Sequence, residues 1–215
     1  MTITFGLVTE GRTDQAVIRA ILTGYFGDDN IRVTSLNPDD QNKLGGWSQV
    51  FRYCHSEDFQ EAFESKDYVI IHIDTDISPE YKIPQIDQDG NRLSPNQLIQ
   101  NVKDKLKNLL DPEFYQRYGA RIIFAIAVHS IECWLLPLYG RENEKSAIDG
   151  CFEKLDEAIS QAPEKSPVKK LVKKSRCYEK IALPYANKET LLNYYFRNPS
   201  FKIFIEDLEA RNIFT

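Results

Sequence analysis

The segment DYVIIHIDTD, residues 67–76, is a near-continuous apolar run that ends in two aspartates. Strands that are buried on both faces of a parallel sheet have this pattern. Parallel strands are joined by crossover connections, which are usually helices. The segment therefore predicts a parallel sheet that is covered by helices on both faces.

The same patterns divide the rest of the chain into strands and helices. Further strands are predicted at residues 3–9, 31–36 and 121–128. Helices are predicted at residues 13–26, 47–64, 96–110 and 131–136, with a turn-rich excursion at 77–95. Later residues show only helical patterns, at 144–161, 167–174, 188–196 and 199–211. We expect an α/β domain at 1–138, with a mainly parallel sheet of about four strands, and a helical cap at 139–215 on the same core.

The first strand leads into a helix through Glu10 and Gly11. Gly11 allows the backbone angles of a tight turn, and Thr13 is the predicted N-cap of the helix. Glu10 and Asp14 are four residues apart around this turn, close enough to face one space. An alternative interpretation is that Asp14 only complements the helix dipole while Glu10 is solvated.

Acidic residues also follow two other predicted strands. Asp74 and Asp76 end the third strand on one face, and Glu132 lies just after the fourth. In a parallel sheet these residues meet Glu10 and Asp14 at the edge where α/β proteins bind ligands. Five carboxylates cannot all stay ionised there without a counter-charge, and hard oxygen ligands suit Mg²⁺ or Mn²⁺. The pattern predicts a divalent-metal site, although Asp-Thr-Asp alone also fits a solvated loop.

Three motifs, TEGRTD at 9–14, IDTD at 73–76 and IECWLL at 131–136, resemble those of the TOPRIM superfamily. Within it the chain is most similar to the RloB-like group, which is related to the TOPRIM domain of overcoming-lysogenization-defect nucleases. The resemblance implies Mg²⁺- or Mn²⁺-dependent cleavage of phosphodiester bonds. It implies metal ligands at Glu10, Asp14, Asp74, Asp76 and Glu132, with catalytic roles for Glu10, Asp74, Asp76 and Glu132. Larger TOPRIM proteins carry an ATPase domain in the same chain, so a separate AAA- or ABC-type ATPase partner, in anti-phage defence for example, is expected.

Nucleic-acid binding requires a local basic patch, because the chain has 32 acidic and 27 basic residues and a net charge of -5. Candidate phosphate-binding residues are Lys165, Lys169, Lys170, Lys173, Lys174, Arg176 and Lys180, with Tyr178 among them. A solvated helix face is the alternative for this cluster. Arg12, beside the predicted acidic site, is a candidate phosphate clamp.

Other function classes stay open at this stage. The IDTD motif also resembles the nucleophile motif of haloacid-dehalogenase-like phosphatases, although that motif normally follows the first strand and here two strands precede it. A sugar-nucleotide transferase has only the Asp-Thr-Asp motif in its favour. A non-catalytic TOPRIM-like binding or regulatory subunit of an ATPase complex is the alternative outside enzymes.

The four cysteines have no C-x-x-C spacing, so free thiols are expected rather than a zinc site or a disulfide framework. The sequence enters its first strand without a signal peptide, and no apolar run reaches membrane-spanning length. We therefore expect a cytoplasmic protein. Of the histidines, His72 is expected in a buried strand on the same face as Asp74, and His129 near the ligand edge of the sheet.

Overall fold

The computed structural model describes residues 2–27, 30–162, 164 and 166–213, and it has an α/β fold. The strands are β1 (Ile3–Val8), β2 (Ile31–Asn37), β3 (Tyr68–Asp74) and β4 (Ile122–Ala127). They form one sheet in the order β2-β1-β3-β4, and every neighbouring pair is parallel. The predicted parallel sheet of about four strands is confirmed.

Ten α-helices lie in the described part of the chain. The first five are α1 (Arg12–Phe26), α2 (Trp47–Cys54), α3 (Glu57–Ser65), α4 (Pro95–Lys107) and α5 (Pro112–Tyr118). The others are α6 (Glu132–Tyr139), α7 (Cys151–Gln161), α8 (Ser175–Ala182), α9 (Lys188–Tyr194) and α10 (Pro199–Ala210). All of them are too short or too polar to span a lipid bilayer.

The sheet separates two hydrophobic cores. Alternating residues such as Phe5 and Ile70 face a core made with α1 and α6–α10. The intervening residues, such as Val69 and Ile71, face a core made with α2–α5. Because both faces are covered, the strands are apolar nearly throughout, as the run at residues 67–76 predicts.

The C-terminal helices pack directly on the sheet and its first helix. The helix α8, the turn Leu183–Ala186 and α9 contact α1, and α10 contacts β4. The approach of α1 to the turn is so close that a Cβ atom on Gly24 would lie 2.0 Å from the carbonyl oxygen of Tyr185. Arg211, just after α10, donates to the carbonyl oxygens of Ala120 and Ile122 at 2.6 and 2.9 Å. These contacts join residues after 138 to the same hydrophobic core as β1 and β3.

Several predicted helix boundaries are wrong. The helix predicted at 47–64 is two helices, because Ser56 interrupts it and accepts the amide of Phe59 at 3.3 Å as the N-cap of α3. Residues 167–174 form no helix. The amide of Leu171 instead donates to Asp156 Oδ1 at 2.8 Å, which ties this segment to α7. The helix predicted to start at residue 144 starts at Cys151, after Gly150 in a left-handed conformation.

The expectation of four free thiols is wrong for two cysteines. Cys133 and Cys151 form a disulfide, with their Cα atoms 5.0 Å apart. They are separated by 18 residues in sequence, and the packing of α6 against α7 brings them together. Cys54 and Cys177 are free, and Cys54 is buried.

Candidate functional site

The five acidic residues of the predicted site meet at the C-terminal edge of the sheet. Glu10 follows β1, Asp14 is in the first turn of α1, Asp74 ends β3, and Glu132 begins α6 after β4. Asp14 and Glu132 are only 5% and 3% exposed, whereas Asp76 is exposed at the rim. Their charges influence one another directly, since the charges of the other four all raise the pKa of Asp74. We call this set the carboxylate cluster.

Glu10 is held by the backbone around it. Its Oε1 atom accepts the amide of Asp74 at 2.8 Å, and its carbonyl oxygen accepts the amide of Gly46 at 2.7 Å. The loop before α2 approaches so closely that a Cβ atom on Gly45 would lie 2.2 Å from the Glu10 carbonyl oxygen. Burial raises the pKa of Glu10 to about 8, with further contributions from the charges of Asp14 and Asp76. Near neutral pH this carboxyl group therefore carries its proton for much of the time.

Asp14 closes the turn at the start of α1. The N-cap of α1 is Gly11, not Thr13 as predicted, and the Gly11 amide donates to Asp14 Oδ2 at 2.7 Å. The Thr13 hydroxyl lies 3.1 Å from Asp14 Oδ1. Burial and then the charge of Glu132 raise the pKa of Asp14 to about 7, against the lowering effects of these hydrogen bonds and of Lys173. Asp14 is thus a structural cap and a member of the carboxylate cluster at once.

His72 lies between two of the acids. Its Nε2 atom is 3.5 Å from Asp74 Oδ1 and its Nδ1 atom is 3.9 Å from Asp14 Oδ2. Burial lowers the pKa of His72 to about 3, so the imidazole is neutral and supplies no counter-charge. Among the described residues, neither ring nitrogen nor Asp74 Oδ1 has a hydrogen-bond partner. Burial, followed by the charge of Asp14, raises the pKa of Asp74 well above its usual value.

Tyr178 joins the cluster from the C-terminal part of the chain. Its hydroxyl group donates to Glu132 Oε1, and both side chains are buried. Sequence reasoning missed this contact and grouped Tyr178 with the neighbouring lysines. The sequence carries no signal for this contact, because the helix α8 that holds Tyr178 was not predicted.

The backbone of Asp76 is fixed by the turn after β4. The amides of Thr75 and Asp76 donate to the carbonyl oxygen of His129 at 2.8 and 2.9 Å, and Thr75 Oγ1 accepts the His129 amide at 2.8 Å. The His129 ring contacts Ser130 and Gly150. His129 therefore positions Asp76 through its main chain.

The donor set of the cluster fits a divalent metal ion in its chemistry. Four buried or half-buried carboxyl groups, one of them with an unpartnered oxygen, are the hard ligands that Mg²⁺ and Mn²⁺ prefer. Within the described residues, no three ligand atoms of the cluster lie within 4.8 Å of one another. Its oxygens are therefore spread more widely than the ligands of a single bound ion, and binding would draw them together.

The predicted phosphate-binding residues occupy two places, the start of α1 and the segment before and within α8. Arg12 is bound by the Asp40 carboxylate at 2.9 Å and the Asp39 carbonyl oxygen at 2.7 Å, beside a cleft of about 940 Å³ that none of the five acids lines. Lys169, Lys170, Lys173 and Lys174 are exposed in the irregular segment before α8. Lys173 is near enough to lower the pKa of Asp14. Lys165 lies outside the described residues.

No family model, curated protein or solved structure matches this chain. The geometry of the carboxylate cluster is therefore the basis for assigning a function.

Proposed function

We propose that this protein is a nuclease that cleaves nucleic-acid phosphodiester bonds with Mg²⁺ or Mn²⁺ at a TOPRIM-type site. The observation that carries the proposal is the meeting of Glu10, Asp14, Asp74, Asp76 and Glu132 at one edge of a parallel sheet. Burial of several like charges costs stability unless a cation or protons offset it. Groups with pKa values raised in this way cluster at functional sites.

The surroundings of each residue in the cluster indicate whether it would bind the metal ion or transfer a proton. Asp74, Asp76 and Glu132 would hold the metal, and Asp14 would hold it or fix the turn beside it. Bound Mg²⁺ or Mn²⁺ lowers the pKa of water and stabilises the departing oxyanion. Glu10 has a pKa of about 8, so it can accept or return a proton near neutral pH. Glu10 would therefore act as the general acid or base of the reaction, while the aspartates would bind the metal ion.

The exposed lysines before α8 would bind the phosphate backbone. Lys173 is the one whose charge lowers the pKa of Asp14. Arg12 is a second candidate for this role, although it must first leave Asp40. The resemblance of the three motifs supports a cytoplasmic role in anti-phage defence together with a separate AAA- or ABC-type ATPase.

The test is cleavage of labelled plasmid, single-stranded DNA and tRNA by the purified protein, alone and with such an ATPase. We expect cleavage that needs Mg²⁺ or Mn²⁺ and stops in EDTA. The Glu10→Gln variant should lose about 10²- to 10⁴-fold in rate because it cannot transfer a proton, and Glu132→Gln should lose less. Glu113→Gln, on the exposed surface of α5, is the matched control and should cleave normally. Cleavage that persists in EDTA, or equal rates for wild type and Glu10→Gln, would contradict the proposal.

The second candidate is a non-catalytic TOPRIM-like subunit of an ATPase complex. The wide spacing of the ligand atoms and the hydrogen bond from Tyr178 to Glu132 favour it. Calorimetric titration with Mn²⁺ separates the two functions when it is combined with the cleavage assay. Binding that is lost in Asp74→Ala/Asp76→Ala, without cleavage under any pairing, would support the subunit. Equal Mn²⁺ binding by wild type and this double variant would rule out the cluster as a metal site.

A further inference from the structure

The disulfide between Cys133 and Cys151 lies beside an imidazole ring. His129, Cys133 and Cys151 each offer a ligand atom, and these atoms all lie within 4.8 Å of one another. No other set of three such residues in the described part of the chain is as compact. His129 follows β4, Cys133 is in the first turn of α6, and Cys151 begins α7. The fold therefore holds three soft or borderline metal ligands together without any local sequence motif.

The His129 ring has the form that binds metals. Its Nε2 atom accepts the amide of Gly150 at 3.2 Å, so a metal ion at Nε2 would take the place of this hydrogen bond, while Nδ1 lies 3.3 Å from Ser130 Oγ. Neutral imidazole is the usual nitrogen ligand of metal ions in proteins. The backbone of His129 has a φ of 68°, a left-handed conformation that histidine adopts more often than most other residues with side chains.

We propose that, after reduction of the disulfide, His129, Cys133 and Cys151 bind a zinc ion. Two thiolates and one imidazole are an established zinc ligand set, with the fourth position open to water. Both cysteines are fully buried, and His129 is half-buried beside a small cavity of about 60 Å³ that it lines.

The exchange between the two states is balanced. A dithiol reductant gives two electrons to the Cys133–Cys151 bond and is itself oxidised to a disulfide. The sulfur–sulfur bond breaks, and both sulfurs become thiolates that bind Zn²⁺. The two protons of the reductant pass to solvent, as expected when thiols become metal ligands. In a reducing compartment, where disulfides seldom persist, the zinc ion would replace the disulfide as the link between α6 and α7.

This link bears on the carboxylate cluster through its neighbours. Cys133 directly follows Glu132, and the carbonyl oxygen of His129 binds the amides of Thr75 and Asp76. Either a disulfide or a zinc ion therefore fixes the turn that positions two of the acids. Its ligands are distinct from the oxygen ligands of the proposed Mg²⁺ or Mn²⁺ site, so the two sites can be tested separately.

The experiment uses the full chain with Cys54→Ser and Cys177→Ser, which removes the two free thiols, and Co²⁺ as an optical probe for zinc. The oxidised protein should give no sulfur-to-cobalt charge-transfer absorption. After reduction with dithiothreitol and anaerobic desalting, we expect this absorption with one ion per chain, and its loss when Zn²⁺ is added. This comparison changes no proposed ligand, and the oxidised and reduced samples carry the same two substitutions, so a difference between them comes from reduction of the disulfide.

Variants then identify the ligands. Cys133→Ser and Cys151→Ser should each lose the tight cobalt complex, and His129→Gln should weaken it and alter its visible spectrum. Asp74→Asn, in the carboxylate cluster, should leave the charge-transfer absorption unchanged. A reduced protein without sulfur–cobalt absorption, a disulfide that cannot be reduced in the folded protein, or a signal that survives in Cys133→Ser would overturn the proposal.

Discussion

Two buried regions of this protein meet on α6, and they differ in how completely their polar atoms are hydrogen-bonded. On one side, Trp134 stacks with Phe201 and with Phe204, with ring centroids 5.1 and 5.3 Å away, and its Nε1 atom donates to Ser200 Oγ at 2.8 Å. On the other side, Glu132 enters the carboxylate cluster. There Asp74 Oδ1 and both ring nitrogens of His72, all described atoms, have no hydrogen-bond partner.

The aromatic side illustrates how a core accommodates polar atoms. Ser200 Oγ also accepts the Val128 amide at 3.2 Å and donates to Asn198 Oδ1 at 2.9 Å, and Tyr185 donates to the Trp134 carbonyl oxygen at 2.5 Å. Buried polar groups cost little when they are partnered in this way. The carboxylate side lacks that compensation at Asp74 Oδ1 and at both ring nitrogens of His72, which is typical of sites that await a ligand or a proton. Structural need therefore explains the aromatic side and leaves these three atoms unexplained.

The largest expected effect is on the aromatic side. Ser200→Ala leaves the Val128 amide and the Trp134 indole N–H without their acceptor. Each buried donor left in this way costs about 1–3 kcal/mol, so the free energy of unfolding should fall by roughly 2–6 kcal/mol in urea titrations. Ser175→Ala is the control, because Ser175 bonds only an exposed side chain, Glu179, and should change stability by less than about 0.5 kcal/mol. A small effect of Ser200→Ala would mean that the two regions do not differ as described.

The next effect is the pH dependence of the carboxylate side. The pKa of Glu10 is raised from 4.5 to about 8 and that of Asp14 from 3.8 to about 7. Between these limits the folded state binds more protons than the unfolded state. Its stability is therefore fully present below about pH 4 and is lost as the pH rises through 7 to 8. We expect the free energy of unfolding of the metal-free protein to fall steadily between pH 5 and pH 8.

Surface acids do not explain such a fall. The pKa values of Asp67 and Asp149 are lowered by hydrogen bonds from Thr4 and Lys154, so their contribution is present above pH 4 and lost only in more acid solution. Saturating Mn²⁺ should flatten or reverse the pH dependence, because a bound ion competes with protons for the carboxylates. Stability that rises from pH 5 to pH 8 without metal would contradict the raised pKa values.

The sequence predicts the parts of these two regions that depend on local patterns, and it does not predict the parts that depend on contacts between distant segments. The carboxylate edge follows from local patterns, because strand periodicity and parallel topology bring strand ends to one edge. The apolar runs at 67–76 and 121–128, with the turn at Glu10 and Gly11, are therefore sufficient to predict that the five acids meet at one edge of the sheet. The predicted role of Thr13 is wrong, since Asp14 itself closes the turn by accepting the Gly11 amide.

Contacts between distant segments are beyond such patterns. Tyr178 reaches Glu132 because α8 packs on α1, and Cys133 meets Cys151 because α6 packs on α7. No sequence motif in α7 or α8 predicts which residue each of them contacts. The segment 167–174 has helical periodicity, but a tertiary hydrogen bond to Asp156 overrides it.

A smaller effect of opposite sign to that of Ser200→Ala is expected within the cluster. Asp74→Asn removes a carboxyl group whose ionised form burial and four neighbouring acids disfavour, and it keeps the shape of the side chain. The metal-free protein should become more stable by about 1 kcal/mol at pH 8, and the gain should shrink at pH 5, where Glu10 and Asp14, with pKa values of about 8 and 7, are protonated. Thermal unfolding at the two pH values measures this difference. Asp104→Asn, on the exposed surface of α4, is the matched control. Loss of stability in Asp74→Asn at pH 8 would assign Asp74 a structural role.

The smallest expected effect concerns Lys173, whose charge lowers the pKa of Asp14. Lys173→Ala removes a positive charge near the cluster, so metal-free Asp14 should hold its proton more tightly, and Mn²⁺ affinity at constant protonation should rise slightly because repulsion is relieved.

The same variant should bind nucleic acid more weakly, and equally so for every sequence. The slope of log affinity against log salt should shrink by about 0.7–0.9, because the variant neutralises one phosphate fewer. Lys188→Ala is the control, since Lys188 lies beside Gly27 at the opposite end of α1. An unchanged salt slope in Lys173→Ala, or an equal change in Lys188→Ala, would place the lysines before α8 on an ordinary solvated surface and leave the phosphate-binding role to Arg12.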